Sequence, residues 1–90
     1  MIEYGTNETW RWDGEFEEVR FHVSADGNPI LCRLSREFIE DHCGNPSTPK
    51  ACLDAAKERF DEITDIIGHW VANSRFEKDG SVLLRTGDWR

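Results

Sequence analysis

The stretch from Val19 to Leu34, VRFHVSADGNPILCRL, constrains the fold more than any other part of the chain. At its centre is Asp26-Gly27, a pair that tolerates positive φ and so favours a two-residue type I′ turn. A turn of that length fixes the register. Val23 then lies beside Ile30, Phe21 beside Cys32 and Val19 beside Leu34. Side chains on a strand alternate with a period of two, so all six share one side. Pro29 falls opposite Ser24, at a non-hydrogen-bonded pair where a missing N–H costs no ladder bond. Turn chemistry, apolar pattern and proline position agree on a β-hairpin with one apolar face.

Helix signals follow at once. Ser35 can accept a bond from an orphan N–H and so cap a short helix, with Glu37 favourably placed in the first turn. Phe38, Ile39 and His42 mark one side of it, and Gly44 is a natural left-handed terminator. After a loop over 45–48, Thr48 as N-cap and Pro49 at the first helical position open a long helix. Its stripe is Leu53, Ala56, Phe60, Ile63, Ile67 and Trp70, at spacings of three and four. Asp54, Lys57, Glu58, Asp61, Glu62 and Asp65 fall mostly on the wet side. Gly68 weakens the last turns, and Asn73 is the expected stop. Asp79-Gly80 predicts a second turn and residues 81–85 a third strand. Thr9-Trp10-Arg11-Trp12-Asp13 alternates as a short strand would, but Gly5, Asn7 and Gly14 interrupt it. A strand within the first 15 residues therefore stays an open alternative.

The expected fold is α+β: a small, mainly antiparallel sheet with two helices packed on one face. The sheet consists of the hairpin and the C-terminal strand, with or without an N-terminal one. A chain of 90 residues makes a single domain over 1–90, and burying about two-thirds of its unfolded surface leaves a thin but sufficient core. The expected core is Val19, Phe21, Ile30, Cys32, Leu34, Phe60, Ile63, Ile67 and Val82.

The order hairpin, short helix, long helix, strand resembles the bacterial domain of unknown function 1488 family. The matching pieces are Ile30-Leu31-Cys32-Arg33-Leu34, then Ser35-Arg36-Glu37 opening a helix closed by Gly44. Ala55-Ala56, Arg59-Phe60 and Ile63 follow in the long helix, and Asp79-Gly80-Ser81-Val82 precede the last strand. The similarity spans roughly residues 9 to 88, and its specificity lies in the order and spacing of motifs that are individually common. The Asn45-Pro46-Ser47-Thr48-Pro49 loop and Cys43, at a position where an aromatic residue is expected, depart from the pattern. The resemblance implies a two-layer α+β fold and brings with it no activity, cofactor or catalytic residue.

Composition narrows the functional classes. A net charge of −7 opposes phosphate binding over the surface as a whole, because nucleic-acid affinity relies on Lys and Arg displacing counterions. Met1-Ile2-Glu3-Tyr4 has neither the basic start nor the apolar run of a signal peptide. No apolar stretch approaches the ~20 residues that span a bilayer. The three cysteines, Cys32, Cys43 and Cys52, are an odd number without C-x-x-C spacing. A reduced, cytoplasmic compartment is the simplest reading of them.

Two surfaces could carry function. Arg20, His22 and Arg33 point away from the apolar face of the hairpin, and Arg85 joins them if Val82 and Leu84 face inward. Such a face suits a carboxylate, a phosphate or an acidic partner segment. The alternative is that the arginines pair with neighbours such as Glu15, Glu17 and Glu18 while their stems cover the sheet. Trp10, Trp12 and Trp89 could form an aromatic interface, or else finish a thin core; Trp70 continues the helix stripe into the core. A metal site from His42, Cys43, Cys52 and His69 lacks the paired spacing of zinc ligands, and a Cys43–His42 nucleophile pair lacks a base facing the sulfur. No metal and no cofactor are expected. Asp61/Asp65 and Glu58/Glu62 read as a solvated face.

With no convergent catalytic set, the leading class is a small non-enzymatic interaction or regulatory module. Its partner would be a protein, or a second copy through self-association. The second class is a small-molecule or anion-binding protein, with or without enzymatic activity, using Arg20, His22, Arg33 and Arg85. Nucleic-acid binding ranks third.

Overall fold

The hairpin is the centre of a five-stranded mixed sheet. The computed structural model describes residues 2–44 and 46–85. Over them the chain forms β1 (Ile2–Glu3), a single 3₁₀ turn (Asn7–Thr9), β2 (Arg11–Asp13), β3 (Glu18–Ala25) and β4 (Asn28–Ser35). Three helices follow, α1 (Arg36–His42), α2 (Pro49–Glu58) and α3 (Phe60–Ala72), and then β5 (Val82–Leu84). β4 and β5 lie side by side, β3 flanks β4 on the other side, and both β1 and β2 pair with the far edge of β3. All pairings are antiparallel except β4–β5, which is parallel because the three helices carry the chain back to the same end.

The hairpin has the register the turn dictates. Val23 pairs with Ile30, Phe21 with Cys32, Val19 with Leu34, and Ser24 with Pro29. Asp26 and Gly27 both have positive φ, 52° and 84°, as a type I′ turn requires. The inner side of the sheet continues into β5, where Val82 lies beside Cys32 and Leu84 beside Leu34. Phe38, Ile39, Cys52, Ala56, Ile63 and Ile67 close this core from the helical layer. The caps fall where the sequence places them. Ser35 Oγ accepts from Phe38 N at 3.1 Å and Thr48 Oγ1 from Ala51 N at 3.0 Å.

Three expectations need correction. Ile30 and Phe60 are only partly buried at the rim of the core. Trp10, a candidate for an aromatic interface, is instead 2% exposed, its ring stacked on Phe21 at 4.0 Å with the planes 7° apart. The single long helix is in fact two, broken at Arg59 (φ −100°, ψ 24°). The break has a visible cause: Asn7 Nδ2 donates to the carbonyl of Lys57 at 3.1 Å. A side chain inserted at that carbonyl interrupts the i→i−4 ladder. The ladder tightens, with Arg59 N bonding Ala56 O at 3.1 Å, and restarts where Ile63 N bonds Arg59 O at 2.9 Å. Gly68 also has a packing reason, since a Cβ there would lie 2.5 Å from the Tyr4 hydroxyl oxygen.

Candidate functional site

Because all three helices pack on the inner side, the other side of the sheet is left uncovered by them. Alternation along β3 puts Glu18, Arg20, His22 and Ser24 there. Cross-strand register sets Arg11, Arg20, Arg33 and Leu83 in one row across four strands. His22 sits opposite Leu31.

The two central arginines share one carboxylate. Arg20 Nε donates to Glu18 Oε2 at 2.5 Å. Arg33 Nε donates to the same oxygen at 2.7 Å, and Arg33 Nη2 to Oε1 at 3.1 Å. Glu18 is 3% exposed, so this carboxylate is buried with both of its oxygens hydrogen-bonded. The Glu18 hydrogen bonds hold the Arg33 guanidinium still more firmly protonated than usual. Arg20 Nη1 also reaches Asp13 Oδ2 at 3.2 Å.

The loop between β2 and β3 folds back over this cluster. Asp13 Oδ1 accepts from Glu15 N at 2.9 Å and from Phe16 N at 3.0 Å. The Phe16 N–H bond, seconded by the Arg20 charge, holds the Asp13 carboxyl below the usual range. Phe16 then lies over the guanidinium of Arg20, 4.8 Å from carbon to ring centroid, while remaining 57% exposed. The outer face is thus an arginine–carboxylate platform with an exposed ring on top, flanked by half-buried Leu31 and Leu83.

The other expected site residues scatter. Arg85 is exposed and donates to Glu77 Oε1 at 2.9 Å, a carboxylate whose charge also acts on Arg33. Trp12 is half-buried against the core, and Trp89 lies outside the described residues. Arg11 escaped attention in the sequence because only the β2 register places it beside Arg20.

One further feature arises from the strand edges. β1 pairs with Ser24 and Ala25, and β2 with Glu18, Val19 and Arg20, so neither strand pairs with Phe21, His22 or Val23. Phe21 and Val23 turn their peptide groups toward β4, so those of His22 face the gap. Two grooves of about 580 and 390 Å³ open there, and both are lined by Thr9, Arg11 and His22.

Thiol and metal chemistry find less support. Cys32, Cys43 and Cys52 are free thiols. Burial pushes the Cys32 thiol up to about 12 and raises Cys43 and Cys52 as well, whereas a nucleophilic cysteine needs its pKa lowered. Among the described residues no group of three or more His, Cys, Asp or Glu could hold a metal ion. No described helix is long and apolar enough to cross a membrane.

A mixed sheet, open on one side and covered by three helices on the other, defines an α+β protein of two layers. The chain belongs to the DUF1488 family of proteins of unknown function, whose model matches residues 6–84. A solved structure of a DUF1488 protein from Shewanella loihica PV-4, itself of unknown function, superposes with a TM-score of 0.84. At 15% identity it covers 93% of this chain and 91% of its own, and it shares the fold. No curated protein matches the chain.

Proposed function

We propose that this protein is a small, non-enzymatic interaction or regulatory module of the bacterial cytoplasm, and that it meets a protein partner through the open sheet face. The observation that supports this most is the platform of Arg20, Arg33 and Glu18 beneath Phe16. Paired guanidinium groups are held in place before any partner arrives, and an aromatic ring on a rigid base is the kind of anchor that dominates protein interfaces. The same pairing weighs against Arg20 and Arg33 as receptors for a free anion, because Glu18 and Asp13 already occupy them. The net charge of −7 weighs against nucleic acid.

The test is a photo-crosslinking amino acid placed at Leu31 on the sheet face, and separately at Asp54 on the exposed side of α2. Leu31 should give a discrete adduct, either with one polypeptide or with a second copy of the chain. Equal labelling from both positions, or none from Leu31, overturns the assignment of the face. Light scattering of the purified protein separates self-association from a foreign partner.

A further inference from the structure

We propose that the trough at the gap between β1 and β2 is a binding site for a small carboxylate, with Arg11 and His22 as its ligand-contacting residues. The trough borders the open sheet face and shares Asp13, Arg20 and Leu31 with it, but the inference rests on an arginine that has no bond to Glu18.

Arg11 carries the argument. Arg20, Arg33, Arg36, Arg59 and Arg85 each have a carboxylate partner, and the Arg75 guanidinium lies 3.8 Å from the centroid of the Trp70 ring. Among the described arginines, Arg11 alone has neither. In a chain with 18 acidic residues against 11 basic ones, a guanidinium without an ion pair is the exception. It is also exposed, so its fork is open to a ligand.

The second observation is shape. The two grooves that meet at Arg11 hold about 580 and 390 Å³, within the roughly 300–1,000 Å³ typical of small-molecule sites. Arg11 pairs with Arg20, so His22 is its diagonal neighbour, and diagonal residues about 7–8 Å apart bring long side chains onto a common point. The third observation is the interrupted edge. The His22 peptide N–H faces the gap instead of a strand, and Thr9 lines both grooves, giving donors beyond the guanidinium.

Charge selects the ligand class. Asp13 and Glu18 answer Arg20 and Arg33, which leaves Arg11 as the surplus cation, and one carboxylate lines each groove, Glu3 the larger and Asp13 the smaller. A planar, singly charged carboxylate matches one guanidinium fork in both geometry and charge. A phosphate group carries about 1.5 to 2 negative charges at neutral pH and would meet both Glu3 and the field of an acidic molecule.

The test is an NMR titration of the isotope-labelled protein with sodium acetate, with chloride holding the ionic strength constant. The Arg11 Nε–H and the Thr9 and His22 amides should shift along a saturating curve, with half-saturation on the order of 10 mM. Arg11→Gln should weaken binding at least about tenfold, since the charged bidentate contact is lost. Arg11→Lys, which keeps the charge but not the fork, should weaken it severalfold and serves as the folded variant if the glutamine substitution unfolds the chain. Lys50→Gln on α2 should titrate like the parent. A linear drift without saturation, wild-type affinity in either Arg11 variant, or inorganic phosphate saturating the same signals at lower concentration would overturn the site.

Discussion

The two faces of the sheet come from the same strands and are held by opposite means. On the inner face, Val19, Cys32, Leu34, Val82 and Leu84 are fully buried against Phe38, Ile39, Ile63 and Ile67. Exclusion of water and close packing do the work there, and neither depends much on salt or moderate pH. On the outer face, Glu18 is just as inaccessible, yet it is surrounded by guanidinium groups and covered by one ring. Burial alone therefore does not reveal what stabilises a residue. The inner face contributes cohesion. The outer face contributes a defined arrangement of charged groups at a smaller net gain, because desolvating a charge offsets much of the attraction it finds.

The sharpest contrast should come from Phe38→Ala. It removes the largest fully buried side chain of the inner layer and should cost about 3–5 kcal/mol, read by urea denaturation. A loss under about 1 kcal/mol would mean that the core collapses into the gap. Glu18→Gln should come next, at about 1–3 kcal/mol. It leaves Arg33 without its carboxylate and Arg20 with Asp13 alone, in a site where both guanidinium groups keep some solvent contact. Its effect should shrink in salt, while that of Phe38→Ala should not. Equal salt response of the two variants would erase the distinction between the faces.

Cys32 tests the inner face by pH. Its thiol is held up to about 12 against an ordinary value of 9.0, so the fold keeps the proton that the unfolded chain loses. Stability should therefore be intact below the unfolded value and decline as pH rises from it toward the folded one. The loss should be about 1–2 kcal/mol near pH 10.5. Cys32→Val should flatten that part of the profile; an unchanged slope would assign it to other groups. The smallest effect belongs to the loop. The Phe16 N–H bond keeps Asp13 below its usual range, so its contribution is present above the unfolded value of 3.8 and fades as pH falls through the lower folded one. Asp13→Asn should blunt this acid limb in thermal melts, and identical limbs would show that the loop is not tied down by the carboxylate.

The hairpin, both N-caps and the inward set of β5 were legible in the sequence because each rests on neighbours a few residues away. The turn at Asp26-Gly27 sets the register of everything from Val19 to Leu34 without outside help. The break at Arg59 was not legible, since it depends on Asn7 reaching a carbonyl fifty residues along the chain. Trp10 presented an ambiguity that only the path of the N-terminal segment resolves, by laying its ring on Phe21. At the candidate site, the outward direction of Arg20, His22 and Arg33 followed from strand period. Their chemistry did not, because Glu18 draws two arginines into one cluster while β2 carries Arg11 clear of it.

The parallel pairing of β5 has a consequence for how the molecule is assembled. The hairpin closes over two residues, whereas Val82 meets Cys32 across fifty positions of chain. Loop closure of that span must precede any reward from the pairing, so the edge of β4 waits longest for its neighbour. During that wait it presents an unpaired row of peptide groups, and the strand that fits it best is Val82–Leu84 of whichever chain arrives first. At high concentration the arriving strand can belong to another molecule, and the outcome is an exchange of C-terminal strands between two chains.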